Sequence, residues 1–132
     1  MPNPTLCEPC VRGDGLALIA GAGLPLAFAP TSAWPLAILC PALLFGLLAC
    51  VSPRVAFRRG FAFGVGMFGV GVSWVYVAVH DFGHTGAVPA GIVTALFIAI
   101  LALYPALFGY VGARLRDRLR LGDGPYLILL LP

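Results

Sequence analysis

The sequence predicts an all-α membrane protein: a polytopic transmembrane helix bundle of four spans plus the start of a fifth, with its N-terminus cytoplasmic. Three observations carry that prediction. Hydrophobic residues fill 61% of the 132 positions and charged residues 10%, with a mean hydropathy of +1.00. A soluble domain is about half apolar and about a quarter charged, so these charges are too few to cover a water-soluble globule. Apolar runs of near-spanning length recur along the chain, which makes lipid the fitting solvent. Finally, the basic residues occupy alternate connections only. The net charge of +3 is therefore set by topology and is not a nucleic-acid footprint.

Residues 1–15 hold three prolines and two glycines and read as a flexible cytoplasmic tail. Cys7 and Cys10 form a C-x-x-C there, without the further ligands a zinc site needs or the βαβ context of a redox pair. Cys40 and Cys50 lie in apolar sequence, so the four cysteines are no disulfide framework. Residues 16–132 read as the N-terminal part of a membrane domain. The first span, Leu16–Ala29, has 14 residues, about 21 Å of helix against a ~30 Å hydrocarbon core. Arg12, this apolar stretch and Ala27-Phe28-Ala29 imitate a signal peptide, but Pro30 after the apparent cleavage site and the spans that follow favour a retained helix.

Trp34–Val51 supplies 18 residues, interrupted early by Pro35 and Pro41, and Phe61–Val79 supplies 19 apolar or small residues without a break. Ala87–Ala113 supplies 27, enough to span with tilt or with a kink at Pro105. A further apolar run starts at Pro125, which reads as a fifth helix truncated at Pro132. Because prolines crowd residues 25–41, the first hairpin either crosses twice or dips in and returns. Re-entrant backbone needs protein or water around it, which favours two crossings.

All eight basic residues are arginines. Arg12 precedes span one; Arg54, Arg58 and Arg59 separate spans two and three; Arg114, Arg116, Arg118 and Arg120 follow span four. The connections at Pro30–Ala33 and His80–Gly86 carry none. The positive-inside rule puts the arginine-bearing side in the cytoplasm and His80–Gly86 outside.

Two short motifs are accidental. Gly64-Val65-Gly66-Met67-Phe68-Gly69 matches a dinucleotide fingerprint but lies within an apolar span instead of a strand–helix turn. Asp81-Phe82-Gly83 spells a kinase magnesium motif without the rest of a kinase. His80 and His84 stand four apart around Asp81, yet Gly83 beside a helix end argues against a helical metal pair, so no metal or cofactor is expected. At 100° per residue, Gly60, Gly64 and Gly71 share one face of span three, while Ala62, Gly66, Gly69 and Ser73 fall roughly opposite. Small residues let backbones approach closely in lipid, so Gly60, Gly64, Gly66, Gly69 and Gly71 are the expected helix-packing positions, with span three between two neighbours. Trp74, Tyr76, His80, Asp81, Phe82 and Gly83 are read two ways: as an aromatic belt and polar loop, or as the vestibule for a lipid or protein substrate.

Several blocks resemble the apolipoprotein N-acyltransferases. Leu26-Ala27-Phe28-Ala29-Pro30 with Trp34-Pro35-Leu36-Ala37 resembles that family's first hairpin. Gly64 through Val77, including Ser73-Trp74-Val75-Tyr76-Val77, is similar to its third helix, and His80-Asp81-Phe82-Gly83 to the loop after it. Leu103-Tyr104-Pro105-Ala106-Leu107-Phe108 is similar to the fourth helix. His84 departs from the pattern, standing where the family more often has a second glycine. The resemblance implies a multi-pass protein of the bacterial cytoplasmic (inner) membrane that serves lipoprotein maturation. It implies transfer of an acyl chain from a phospholipid donor to the α-amino group of the diacylglyceryl-cysteine of an apolipoprotein acceptor. It also implies a thioester route through a Glu–Lys–Cys triad in a nitrilase-like periplasmic domain. With no lysine and Glu8 as the only glutamate, this chain supplies no catalytic residue and is expected to be inactive alone. The competing reading is a small non-enzymatic membrane protein, such as a helical adaptor or a transporter fragment. The four full apolar runs contain no Asp, Glu, Lys, Arg or His, which speaks against ion-coupled transport.

Overall fold

The computed structural model describes residues 10–27, 35–49, 51–84 and 86–119, which are helical with no strand among them. Helix α1 is Cys10–Gly23 and tightens into a 3₁₀ turn over Leu24–Ala27. Helix α2 is Pro35–Leu48 and α3 is Pro53–Gly71. A short helix α4, Trp74–Val77, continues as a π-helical turn over Ala78–Phe82. Helix α5 runs unbroken from Ala87 to Leu119, with Pro105 inside it. Proline chemistry sets two of the starts. Pro35 opens α2, and Pro53 occupies the first turn of α3 behind an extended Ser52, where a missing N–H costs nothing.

The helices alternate in direction. Gly13 lies against Arg59, Gly21 against Phe63, Gly66 against Leu18 and Gly71 against Pro25, so α1 and α3 run parallel. Gly109 meets Ala56, Gly60 meets Pro105 and Gly64 meets Ala102, so α5 runs antiparallel to α3. Phe45 of α2 meets Phe108 edge-on, with centroids 6.1 Å apart, and Arg116 reaches the carbonyls that follow α2. Helix α3 is the centre of the bundle and packs on both α1 and α5. The buried core is built from small groups, among them Ala17, Ala20, Ala56 and Ala113, with Leu44, Leu48 and Phe63 as its larger members. Close backbone approach through small residues, not interlocking of bulky ones, holds these helices together.

Large apolar side chains lie outside. Ile19, Ile38, Leu39, Val88, Ile92 and Leu96 are all at least 60% exposed. Residues Ala87–Arg118 of α5 form the one described helix long and apolar enough to cross a bilayer, and only 17% of its apolar window is buried within the protein. A core helix of a soluble protein would be mostly covered; this one leaves most of its apolar surface uncovered by the described residues. Two such spans exist if α3 and Trp74–Phe82 count as one, despite a 52° bend between them. Helices α1 and α2 have 14 residues each.

Three expectations change. The tail placed at residues 1–15 gives way to helix from Cys10 onward, because Asp14 forms an ion pair with Arg58 of α3 at 2.6 Å and anchors the added turn. The third span, expected without interruption over 61–79, starts eight residues earlier at Pro53 and breaks after Gly71. Ser73 Oγ donates to Val70 O at 3.2 Å, and Val75 N–H and Tyr76 N–H donate to the carbonyls three residues back. Such back-bonding and tight turns bend a helix. Lastly, α5 continues to Leu119, through the arginine-rich stretch placed after the span. The expected run from Pro125, residues 1–9 of the tail and the Pro30–Ala33 connection lie outside the described residues.

Candidate functional site

The bundle has two chemically unlike ends. The N-termini of α1 and α3 and the C-termini of α2 and α5 meet at one of them, which carries Arg12, Arg54, Arg58, Arg59, Arg114, Arg116 and Arg118. The other holds the bent segment Trp74–Phe82 and the turn into α5, with no arginine among its described residues.

At the arginine-free end the bend brings three of the sequence-selected residues together. Tyr76 and His80, one turn apart, stack with centroids 5.6 Å apart and planes inclined by 11°. His80 Nδ1 and Asp81 Oδ1 share a hydrogen bond of 2.7 Å. The π turn closes with Gly83 N–H donating to Ala78 O at 3.2 Å, and single π turns frequently mark functional sites. Trp74 and Phe82 are 65% and 83% exposed and add apolar surface beside the polar group. The arrangement sets a polar imidazole–carboxylate pair beside two exposed aromatic side chains. The described residues contain no group of three metal-ligating side chains. His84 adopts φ 48°, the left-handed region that favours glycine.

The glycines of α3 divide differently from the helical-angle reading. A Cβ on Gly60 would strike Pro105 O, and one on Gly64 would sit 2.7 Å from Ala102 Cα, both on α5. A Cβ on Gly66 would strike Leu18 O on α1. Gly71 lies against Pro25, on the α1 side and not with Gly60 and Gly64, because the bend begins there. Gly69 has nothing within 4 Å and makes no helix contact. The Gly64–Gly69 fingerprint lies wholly inside α3, where it cannot cradle a phosphate.

Sequence reading treated the arginines as topological signals and missed what two of them hold. Buried Arg59 donates Nη1–H to Leu47 O at 2.5 Å. Arg116 donates to Ala49 O and, at 2.7 Å, to Val51 O. Together they satisfy carbonyls at and beyond the C-terminus of α2, where that helix has no basic residue of its own. An uncapped helix end next to arginine-bearing neighbours was the available signal. Asp14 sits between Arg58 and Arg59, its Oδ1 4.0 Å from Arg59 Nε.

Comparison with known proteins gives a consistent result. The family model of the apolipoprotein N-acyltransferase N-terminal domain matches residues 20–132. An apolipoprotein N-acyltransferase of Coxiella burnetii is 50% identical over 94 residues, covering 71% of this chain and 19% of that protein. Those of Pseudomonas syringae pv. tomato and Azotobacter vinelandii are 44% and 42% identical, over 83% and 91% of this chain and 22% and 23% of their own lengths. The chain thus spans about a fifth of the length of the curated relatives it matches.

Proposed function

The chain belongs to the apolipoprotein N-acyltransferase family through its N-terminal domain, and on that premise we propose that it is the membrane portion of an enzyme of lipoprotein maturation. In that reaction a thiolate takes the acyl group from a phospholipid ester, releasing a lysophospholipid. The α-amino group of the apolipoprotein's diacylglyceryl-cysteine then takes the acyl group from the thioester, restoring the thiol. The role of this chain is to build the lipid-embedded scaffold, with no part in bond making: it has no lysine, and its only glutamate is Glu8. The observation that carries the reading is the family match across most of the chain.

On this reading the chain passes four times through the bacterial inner membrane, α1 and α2 being short spans, with the arginine end in the cytoplasm and Trp74–Gly83 at the outer face. The alternating helix directions support this arrangement, as does the arginine asymmetry between the ends. At the outer face Trp74, Tyr76, His80, Asp81, Phe82 and Gly83 form the vestibule where acyl donor and lipoprotein acceptor approach. The aromatic pair meets their chains, and the His80–Asp81 pair meets their polar heads.

A chimera tests the proposal. Residues 20–119 of this chain replace the matching segment of the Coxiella burnetii relative, and N-acylation of a diacylated lipopeptide is measured in mixed micelles. The expected result is transfer by the chimera and none by the 132-residue chain alone. A folded chimera without activity, or acyl transfer by the chain alone, overturns the reading.

A further inference from the structure

The arginine end carries a feature that the acyl-transfer reading does not use. Ser52, Pro53 and Arg54 at the start of α3, with Tyr110, Arg114, Asp117 and Arg118 of α5, line an open cleft of about 630 Å³. It adjoins an apolar groove of about 350 Å³ formed by Arg54, Phe57, Leu107 and Tyr110, the two sharing Arg54 and Tyr110. Through Leu107 the groove continues into a third hollow, of about 310 Å³, along Tyr104, Phe108 and Val111. The result is one track on the α3–α5 surface, cationic at the end of the bundle and apolar below it.

The cationic part is poised for an anion. Tyr110 organises it: its ring meets Phe57 edge-on at 6.5 Å, its hydroxyl accepts Arg114 Nε–H at 3.0 Å, and the Arg114 guanidinium lies 5.3 Å from its centroid. Asp117, the acidic residue at the rim, is engaged by Arg116 at 3.3 Å. Among the described residues none of Arg54, Arg114 and Arg118 forms an ion pair. Three guanidinium groups without an ion pair among the described residues, against one carboxylate that Arg116 engages, match a phosphodiester, which arginine recognises through paired donors. The dimensions also fit a lipid. From Arg114 to Tyr104 is ten residues, about 15 Å of helix, or half of a ~30 Å hydrocarbon core.

We propose that this track binds one anionic phospholipid of the arginine-side leaflet, its phosphate held by Arg54, Arg114 and Arg118 and an acyl chain lying along Phe57, Leu107 and Tyr104. The proposal rests on the reading that this end of the bundle lies at a bilayer surface. The site is at the end opposite to Trp74–Gly83, so the bound lipid fastens the α3–α5 pair and does not serve as the acyl donor.

The test uses the 132-residue chain in nanodiscs of phosphatidylethanolamine containing a minor share of phosphatidylglycerol, with retained lipids counted by native mass spectrometry. One phosphatidylglycerol is expected to stay with each chain. Each of Arg54→Gln, Arg114→Gln and Arg118→Gln is expected to weaken retention about fivefold, the scale of one basic side chain near an anionic surface, and the triple variant about a hundredfold. Arg12→Gln, away from the cleft, should leave retention unchanged. Phe57→Ala with Leu107→Ala should weaken lipid retention without altering binding of glycerol 3-phosphate, which is expected to be far weaker than the lipid. Equal retention of both lipids, full retention by a folded triple variant, an equal loss in Arg12→Gln, or glycerol 3-phosphate binding as well as the lipid would each overturn the proposal. Thiol labelling reads orientation separately. A reversed chain that still retains the lipid refutes the topology and leaves the site standing, whereas a correctly oriented chain without the lipid refutes the site.

Discussion

Substituting single glycines of α3 separates backbone contact from glycine frequency. In Gly64→Ala the new Cβ would lie 2.7 Å from Ala102 Cα, 2.8 Å from Pro105 Cγ and 3.0 Å from Ala102 Cβ. Carbon atoms settle at about 3.5–4.0 Å, so α3 and α5 must part by close to 1 Å or bend. Overpacking of this kind costs about 1–3 kcal/mol. In Gly69→Ala the Cβ meets nothing within 4 Å. Both changes gain the same helix propensity, up to about 1 kcal/mol, so the propensity term cancels between them. Gly64→Ala should therefore be less stable than Gly69→Ala by about 1–3 kcal/mol. For a domain of this size that separates their melting temperatures by roughly 4–12 °C. Thermal loss of helical circular dichroism in detergent micelles measures it, with Gly69→Ala at or above the parent. Equal melting temperatures for the two variants would refute the claim that α3 and α5 meet backbone to backbone at Gly64.

Further predictions follow from individual contacts. Arg116→Ala strips the carbonyls of Ala49 and Val51 of their donors and should cost about 1–3 kcal/mol, the penalty for an unsatisfied buried polar group, while Arg118→Ala, on the exposed side, should melt like the parent. Asp14→Asn removes the 2.6 Å pairing with Arg58 and the carboxylate 4.0 Å from buried Arg59; faster hydrogen exchange in the first turn of α1 would report the loss. His84→Gly relieves the positive φ and should raise stability by up to about 1 kcal/mol, whereas His84→Val should lower it. In the chimera, Asp81→Asn should impair acyl transfer through KM for the lipopeptide and leave thermal stability unchanged.

Much of this architecture is legible in the residues because two signals act over whole helices. Apolar length sets where helices are, and arginine placement sets which ends come together. Glycine spacing also placed α3 between two partners, through Gly60 and Gly64 on one side and Gly66 on the other. It failed at Gly71 because extrapolating 100° per residue assumes a straight helix, and the 52° bend begins there. The hydroxyl of Ser73 reaches Val70 O at the bend, a local contact that apolar counting cannot see. The start of α1 was missed because Arg12, Gly13 and Asp14 look like solvated loop until Arg58 and Arg59 of another helix supply their partners. The Trp74–Gly83 segment was found by residue type and resemblance, but the Tyr76–His80 stack and the π turn are properties of the folded backbone. Arg59 and Arg116 were counted only as charges, since carbonyl capping across helices joins positions up to 67 apart.

The most direct test of the membrane account is two-sided thiol labelling in a background with the four native cysteines replaced by alanine. Asp81→Cys and Arg118→Cys are each exposed to an impermeant maleimide in intact spheroplasts and again after lysis. The expected result is labelling of Asp81→Cys from outside and of Arg118→Cys only after lysis. Outside labelling of Arg118→Cys, or protection of Asp81→Cys until lysis, would contradict the scaffold and its orientation.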